Sequence, residues 1–304
     1  MSRRDHPTIV VGVDGSWQAE RALEWAAEDA RRRGADLRIV TAVRAPVSPA
    51  TSAAFTAGNV LDAAREAAQV AVDAAVERAS ELAPASRVSG EVRAGSAAAV
   101  LQQESHYADL LVTGSRGHGS LAGLVLGSVS VAVATSARCP VVVVRPDRRP
   151  EHAGDDLTPF SWATAGRVVV GIDGSEGAAR ALAFAADHAA RARLGLTIVS
   201  AQPAPAPRSR WLDPSESGTL TTLALDCEAV TRPAAALARM AHPRLDVDVQ
   251  VVQDGAGGCL VSASHQAALV VLGNRGRPSL TGRLLGSVSR TVLCAAASPV
   301  VVVH

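Results

Sequence analysis

The strongest constraint on this chain is that it repeats itself. Residues 8–16 read TIVVGVDGS and residues 167–175 read RVVVGIDGS. Further on, residues 114–130 read GSRGHGSLAGLVLGSVS and residues 273–289 read GNRGRPSLTGRLLGSVS. Each half then closes on PVVVV, at 140–144 and 299–303. Asp14 and Asp173, Gly114 and Gly273, and Gly127 and Gly286 share one offset. A period of roughly half the chain means two whole domains rather than a solenoid, whose units run about 20–50 residues. The domains are expected at 1–146 and 167–304, with a linker at 147–166. That linker is polar and broken by Pro150, Gly154 and Pro159, and it has no periodicity.

Aromatic residues make up only 3% of the chain, against 48% hydrophobic residues in all. The cores must therefore be Ala-rich helices packed on Val-rich strands. In the first copy, residues 10–13 form an apolar run typical of a strand buried on both faces. Ser16 then fits as the N-cap of a helix that runs through Arg33 and stops at Gly34. Strands at 37–43, 88–92, 109–113 and 141–144 alternate with helices at 60–82, 97–105 and 128–137. The second copy repeats this order: strands at 168–172, 197–201, 247–252, 269–272 and 300–303, and helices at 177–193, 220–240, 259–266 and 287–296. Such alternation predicts an α/β fold: two tandem, doubly wound, five-stranded parallel sheets joined by right-handed crossovers. The stretches 45–58 and 203–218 read as long loops, and Trp211 in the second as a packed surface residue or a lid.

The composition excludes several function classes. There is no lysine among the 30 basic residues, so a P-loop lysine and a lysine Schiff base are ruled out. A net charge of +1 gives no drive toward nucleic acid or a membrane surface. Cys139, Cys227, Cys259 and Cys294 form no C-x-x-C pair and sit in apolar contexts, as buried small hydrophobes do. No segment has the length and apolarity of a membrane span or a signal sequence, so a cytoplasmic protein is expected.

Ligands of doubly wound folds bind at the carboxyl ends of the strands, near the point where strand order reverses. Two motifs lie there in each copy. The first strand ends in Gly12, Val13 and Asp14, repeated as Gly171, Ile172 and Asp173. Such an Asp accepts hydrogen bonds from a ribose or an adenine amino group, or else caps the following helix. The fourth strand ends in Thr113, Gly114, Arg116, Gly117 and His118, repeated as Leu272, Gly273, Arg275, Gly276 and Arg277. After nine intervening residues, Gly117 and Gly276 are followed by Gly127, Ser128, Val129 and Ser130, and by Gly286, Ser287, Val288 and Ser289. Glycines let backbone N–H groups turn toward an anion. The Gly-Ser pairs open helices whose free N–H groups and dipole favour phosphate oxygens. Arg116 and Arg275 can offset phosphate charge, and the serine hydroxyls can add donors. The second-strand ends, at Ala42 and Val43 and at Ala201, would wall in a base. In the second loop Asn274 replaces Ser115, and Arg277-Pro278 replaces His118-Gly119. The two sites are thus expected to be competent but unequal.

The D-G-S after strand one and the G-2x-G-9x-G-S loop after strand four resemble the universal stress protein family, in its ATP-binding branch. The resemblance spans nearly the whole chain as two family domains. It implies a sheet order of 3-2-1-4-5 and one ATP per domain. It places Asp14, Asp173 and the strand-two ends at the adenosine, and the glycine loop and Gly-Ser pair at the phosphates. It also implies pairing of the domains through their last strands as an internal pseudo-dimer, with a further homodimer possible.

On this reading the protein is a nucleotide-dependent stress-response regulator whose ATP occupancy is read by a partner protein. The runner-up is a slow ATPase, with Mg²⁺ near Asp14 or a loop hydroxyl. No Walker-B-like pattern or base with an orienting partner supports vigorous hydrolysis. A scaffold with vestigial sites is a third class, against which the intact loop glycines speak. A dinucleotide oxidoreductase lacks its G-x-G-x-x-G after strand one.

Overall fold

The computed structural model describes residues 6–44, 54–117, 126–145, 164–202, 217–276 and 285–304, with backbone only at 54–60, 202 and 217–226. The chain divides into two compact units, Met1–Pro146 and Asp147–His304. The first unit runs β1 (Thr8–Gly12), α1 (Trp17–Arg33), β2 (Asp36–Val43), α2 (Ala54–Leu82), β3 (Val88–Ala94), α3 (Ala97–Glu104), β4 (Leu110–Gly114), α4 (Ser128–Ser136) and β5 (Val141–Val144). The second runs β6 (Val168–Gly171), α5 (Glu176–Ala192), β7 (Leu196–Gln202), α6 (Ser217–Ala241), β8 (Val247–Gln253), α7 (Ala256–Ser264), β9 (Leu269–Gly273), α8 (Ser287–Ala295) and β10 (Val300–Val303).

Within the first unit all neighbours pair in parallel, in the order β3-β2-β1-β4-β5. The second unit repeats this as β8-β7-β6-β9-β10. Helices α1 and α2 pack together, as do α3 and α4. Right-handed crossovers put the two pairs on opposite faces of the sheet. Both faces of the central strands are therefore covered. Val10, Val11, Leu111 and Val112 are fully buried, which is why the strands read as unbroken apolar runs. Helix α1 meets the sheet through Ala19, Ala22, Leu23, Ala26 and Ala30. Small alanines bring the helix close, and valines on the sheet fill the space that rings would otherwise take.

Two local features position the site. Strand β1 stops at Gly12, one residue before the apolar run ends. Val13 leaves the strand, although its N–H still reaches the Val40 carbonyl at 3.0 Å. At its far end, α3 is tied to the sheet by Glu104. This carboxylate is buried and lies 3.0 Å from Arg38 on β2 and 3.8 Å from Arg93 on β3. Removing one partner of such a pair would leave an uncompensated buried charge. The cytoplasmic expectation meets one relevant structural fact: among the described residues no helix is long and apolar enough to cross a membrane.

Candidate functional site

The site forms where strand order reverses, at the carboxyl ends of β1 and β4. Register aligns Gly12 with Val40 on β2 and with Thr113 on β4. Residues paired across parallel strands face the same side, so Thr113, Gly12 and Val40 make one row of the cavity floor. Glycine in the middle lets Leu101 settle close to the floor, since a Cβ on Gly12 would lie 2.8 Å from Leu101 Cδ1. Gly171 is constrained in the same way, by Leu272 at 2.8 Å and Leu260 at 2.9 Å. An apolar wall from α3 or α7 thus comes down close to the sheet.

Asp14 follows this floor. Its Oδ1 accepts from the backbone N–H of Ser16 at 3.0 Å and from the Ser16 hydroxyl at 2.6 Å. Ser16 Oγ in turn accepts from the N–H of Ala19 at 3.3 Å. Ser16, not Asp14, is therefore the N-cap of α1. The carboxylate is held by the cap rather than acting as one. Gly15, at φ +77°, supplies the left-handed turn between them. In the second unit Asp173 Oδ1 accepts from Ser175 N–H at 3.0 Å, and Ser175 caps α5 through Ala178 at 3.2 Å. The other carboxylate oxygen faces the glycine loop. A Cβ on Gly117 would collide with Asp14 Oδ2, and one on Gly276 with Asp173 Oδ2. Both sites bring the acid of strand one against the second glycine of the loop.

The loop leaves β4 at Gly114, where a Cβ would sit 2.8 Å from the Gln18 carbonyl. Ser115 N–H then donates to Val144 at 2.8 Å, and Gly127 N–H returns to the Ser115 carbonyl at 2.8 Å. Gly127 is the N-cap of α4 and offers no side-chain acceptor, as does Gly286 at α8. By contrast α1, α3 and α5 are capped by serine side chains. The first-turn N–H groups of α4 and α8 thus open on the cavity with no capping oxygen from their own cap residue, the arrangement that favours an anion. The serines of this turn divide their work. Ser128 and Ser287 are both exposed. Ser130 and Ser289 are buried, and their hydroxyls donate to the carbonyls of Gly114 at 2.7 Å and Gly273 at 2.8 Å. Their protons are committed to pinning the helix to the strand, not to an incoming ligand. Arg116 is half-buried and its Nε has no hydrogen-bond partner among the described residues, whereas Arg275 is exposed.

In the first unit these parts enclose a cavity of about 190 Å³, lined by Gly12, Val13, Asp14, Ala42, Thr113, Gly114, Arg116, Gly117, Gly127, Ser128, Val129 and Ser130. In the second, a cavity of about 300 Å³ is lined by Gly171, Ile172, Asp173, Ala201, Leu272, Gly273, Arg275, Gly276, Gly286, Ser287, Val288 and Ser289. Val43, expected beside the base, does not line the first cavity. Its carbonyl accepts from Gly95 N–H at 2.9 Å, at the β2–β3 edge. His118, Arg277, Pro278, Trp211 and most of the linker lie outside the described residues.

A model of the universal stress protein family matches residues 6–145 and again residues 164–304. The chain belongs to this family. It is 36% identical over 307 residues to universal stress protein Rv2005c of Mycobacterium tuberculosis (strain ATCC 25618 / H37Rv), covering 99% of this chain and 97% of that protein. Universal stress protein Rv2623 of the same strain is 34% identical over 301 residues, covering 97% and 95%. Among solved structures, a universal stress protein from Archaeoglobus fulgidus DSM 4304 matches with a TM-score of 0.66 at 18% identity, over 98% of this chain and 96% of that one. That likeness speaks to the fold.

As a tandem universal stress protein, the chain also has cavity walls that sequence reasoning missed. Ala19, Val40, Ala97, Val100 and Leu101 line the first cavity, and Ala178, Val199, Ala256 and Leu260 the second. All sit inside ordinary apolar patterns of helices and strands. The one signal that could have found Val100 and Leu101 is the Ser96 N-cap. It starts α3 right after β3 and so brings the helix's first turns over the ends of β1 and β2.

Proposed function

We propose that each unit binds one adenine nucleotide, ATP, and that the protein is a nucleotide-dependent stress-response regulator. The observation that carries this reading is a coincidence repeated in both units. An apolar pocket, a strand-one carboxylate, a G-x-x-G turn and a helix N-terminus without a side-chain cap line a single cavity. An apolar wall beside an anion-binding helix end is what a base linked to phosphates requires. Arg116, half-buried beside the loop and with its Nε unpartnered among the described residues, fits such a ligand.

In this scheme Val40, Ala42, Val100 and Leu101 flank the base, and Asp14 accepts from the ribose hydroxyls. Backbone N–H groups of the loop and of Ser128 and Val129 receive the phosphates, with Arg116 balancing their charge. Ile172, Asp173, Val199, Ala201, Leu260, Ser287, Val288 and Arg275 repeat these roles. Bound ATP acts by its occupancy rather than through a reacting bond, and a partner protein reads that state.

The test is to denature protein purified without added nucleotide, identify the released nucleotide by anion-exchange chromatography, and titrate the emptied protein with ATP. The expected result is adenine nucleotide approaching two per chain. Recovery of ADP after loading with ATP reveals slow hydrolysis. A protein that carries no nucleotide and takes up none overturns the reading.

A further inference from the structure

The two cavities are built to one plan, but only the first has a charged tether behind its apolar wall. Val100 and Leu101 line the first cavity, and Glu104 follows them at four and three residues, on the same face of α3. Glu104 is 4% exposed. Its Oε2 lies 3.0 Å from Arg38 Nη1 and its Oε1 3.8 Å from Arg93 Nη2. That Oε2 accepts no hydrogen bond among the described residues, so charge is what holds it to Arg38. Glu91 completes the cluster, 3.2 Å from Arg38 and 2.9 Å from Arg93. Side chains two apart on a strand share a face, so Arg38, Val40 and Ala42 form one row of β2. Register sets Glu91 beside Val40, and Arg93 beside Ala42. The tether therefore grips the same row whose Val40 and Ala42 line the cavity. The second unit has none of this. Helix α7 reads AGGCLVSAS and carries no charged side chain. Thr197, Gln250, Val252 and Ala263 stand at the places of Arg38, Glu91, Arg93 and Glu104. Its cavity is the larger, about 300 Å³ against about 190 Å³, and Cys259, in the place of Val100, does not line it.

We propose that Glu104 is a positioning residue of the first site, and that it fixes how much room α3 leaves for the base. This rests on the nucleotide-binding reading above. Leu101 comes so close to the floor that a Cβ on Gly12 would lie 2.8 Å from its Cδ1. To exclude a larger base, that wall must not lift. A buried carboxylate between two guanidinium groups resists lifting, because movement away from them strips a buried charge of its partners. Leu260 makes the same approach to Gly171, but α7 has no charge to strand, and no ionic penalty opposes its movement. The first site thus selects by the size of the base, and the second admits adenine nucleotides enlarged at the base.

Glu104→Gln, which keeps the shape and removes the charge, tests this in the full chain. Gly276→Val serves as a background to silence the second site, and Gly117→Val to silence the first. Calorimetry compares ATP with an ATP analogue that carries a benzyl group on the adenine amino nitrogen. The first site should prefer ATP to the analogue by more than the second does. Glu104→Gln should weaken ATP at the first site about three- to tenfold and bring its preference down toward that of the second site, which itself should not change. A loss of stability alone would not alter the ratio of the two ligands, so an unchanged ratio overturns the proposal and leaves the nucleotide reading intact. Should Glu104→Gln fail to fold, Arg93→Gln decides the matter. It loosens the tether while Arg38 still pairs the buried carboxylate, and it should move the ratio the same way by less; no movement overturns the proposal. Hydrogen exchange without nucleotide gives the independent arm. The amides of α3 should exchange faster in Glu104→Gln than in the wild type, and equal rates would show that Glu104 does not hold the helix. Failure of the wild-type chain to bind either ligand sinks the nucleotide reading instead, and the exchange comparison still decides whether the tether exists.

Discussion

Gly117 and Asp14 are locked against each other: the space a side chain would need at Gly117 is already filled by the Asp14 carboxylate. Gly276 and Asp173 repeat the relationship. The second loop glycine is therefore as much a requirement of the acid as of any phosphate. Gly117→Val should push the carboxylate off its Ser16 anchor and abolish ATP binding in the first unit only. The expected outcome is a titration stoichiometry falling from two to one per chain with an unchanged circular dichroism spectrum, because the strain is confined to a loop. Gly276→Val should do the same for the second unit. Loss of the folded spectrum would show instead that the glycines serve the fold.

The Ser16 hydroxyl links the acid to the helix. It donates to Asp14 at 2.6 Å while accepting from Ala19 N–H. Ser16→Ala removes both bonds. Loss of the cap alone should cost about 1 kcal/mol of stability, read as a lower urea midpoint. ATP affinity of the first unit should fall as well, since Asp14 loses its orienting donor. A stability loss with unchanged affinity would separate the cap from the site.

Ser130 is expected to be structural. Ser130→Ala leaves the buried Gly114 carbonyl without its 2.7 Å donor, a loss of about 1 kcal/mol. Denaturant unfolding should report it with no nucleotide present. Ser128→Ala, at a hydroxyl that the fold does not bury, should leave stability within about 0.5 kcal/mol of wild type and weaken ATP binding.

Helices α1 and α5 end differently. Gly34 closes α1 in the left-handed conformation at φ +61°, whereas Arg193 closes α5 at φ +56°. A side chain in this conformation costs roughly 1 kcal/mol that glycine avoids. Arg193→Gly should therefore stabilise the second unit by about that amount. Gly34→Arg should destabilise the first by a similar amount, since open space around Gly34 leaves only the backbone strain. Chemical denaturation of each variant checks both signs.

Burial, assisted by the nearby Asp109 carboxylate, pushes the Cys139 thiol up to about 12 from its ordinary 9.0. Burial also raises Cys259, with Asp254 adding to it. Both should resist alkylation at pH 8 in the native protein and react after denaturation, as peptide mapping by mass spectrometry would show. The folded state holds the Cys139 proton more tightly than the unfolded chain. Its contribution is thus fully present below pH 9 and is lost as pH rises from 9 toward 12, by about 1.4 kcal/mol per pH unit. Cys139→Ala should flatten that alkaline decline. An equally steep decline in the variant would assign it to other groups.

Much of the fold is legible in the residues alone. The apolar runs of β1, β4 and β5, the serine cap at Ser16 and the stop at Gly34 are local signals, set by the backbone preferences of a few adjacent residues. The site is legible as far as its glycines and acids. Both motifs follow strands, and strand ends on one edge must meet. Val43 falls outside the cavity because side chains alternate along β2: Val40 and Ala42 face the cavity, so Val43 faces the other way. The role of Ser130 is hidden from the sequence. Its acceptor, Gly114, lies sixteen residues away and becomes a neighbour only when α4 docks on β4.

By itself the sequence determined the duplication, the parallel α/β architecture and the membership of both cavities by the D-G-S and glycine-loop motifs. These depend on periodicity and on residues that tolerate only certain backbone conformations. Only the tertiary structure decided which side of Asp14 is anchored by Ser16 and which faces Gly117. It alone showed that Val100 and Leu101 of α3 wall the cavity above the floor at Gly12. The Asp14–Gly117 and Leu101–Gly12 contacts join segments far apart in the chain. Such contacts follow from how helices settle on a sheet, and no local preference of the residues involved encodes them.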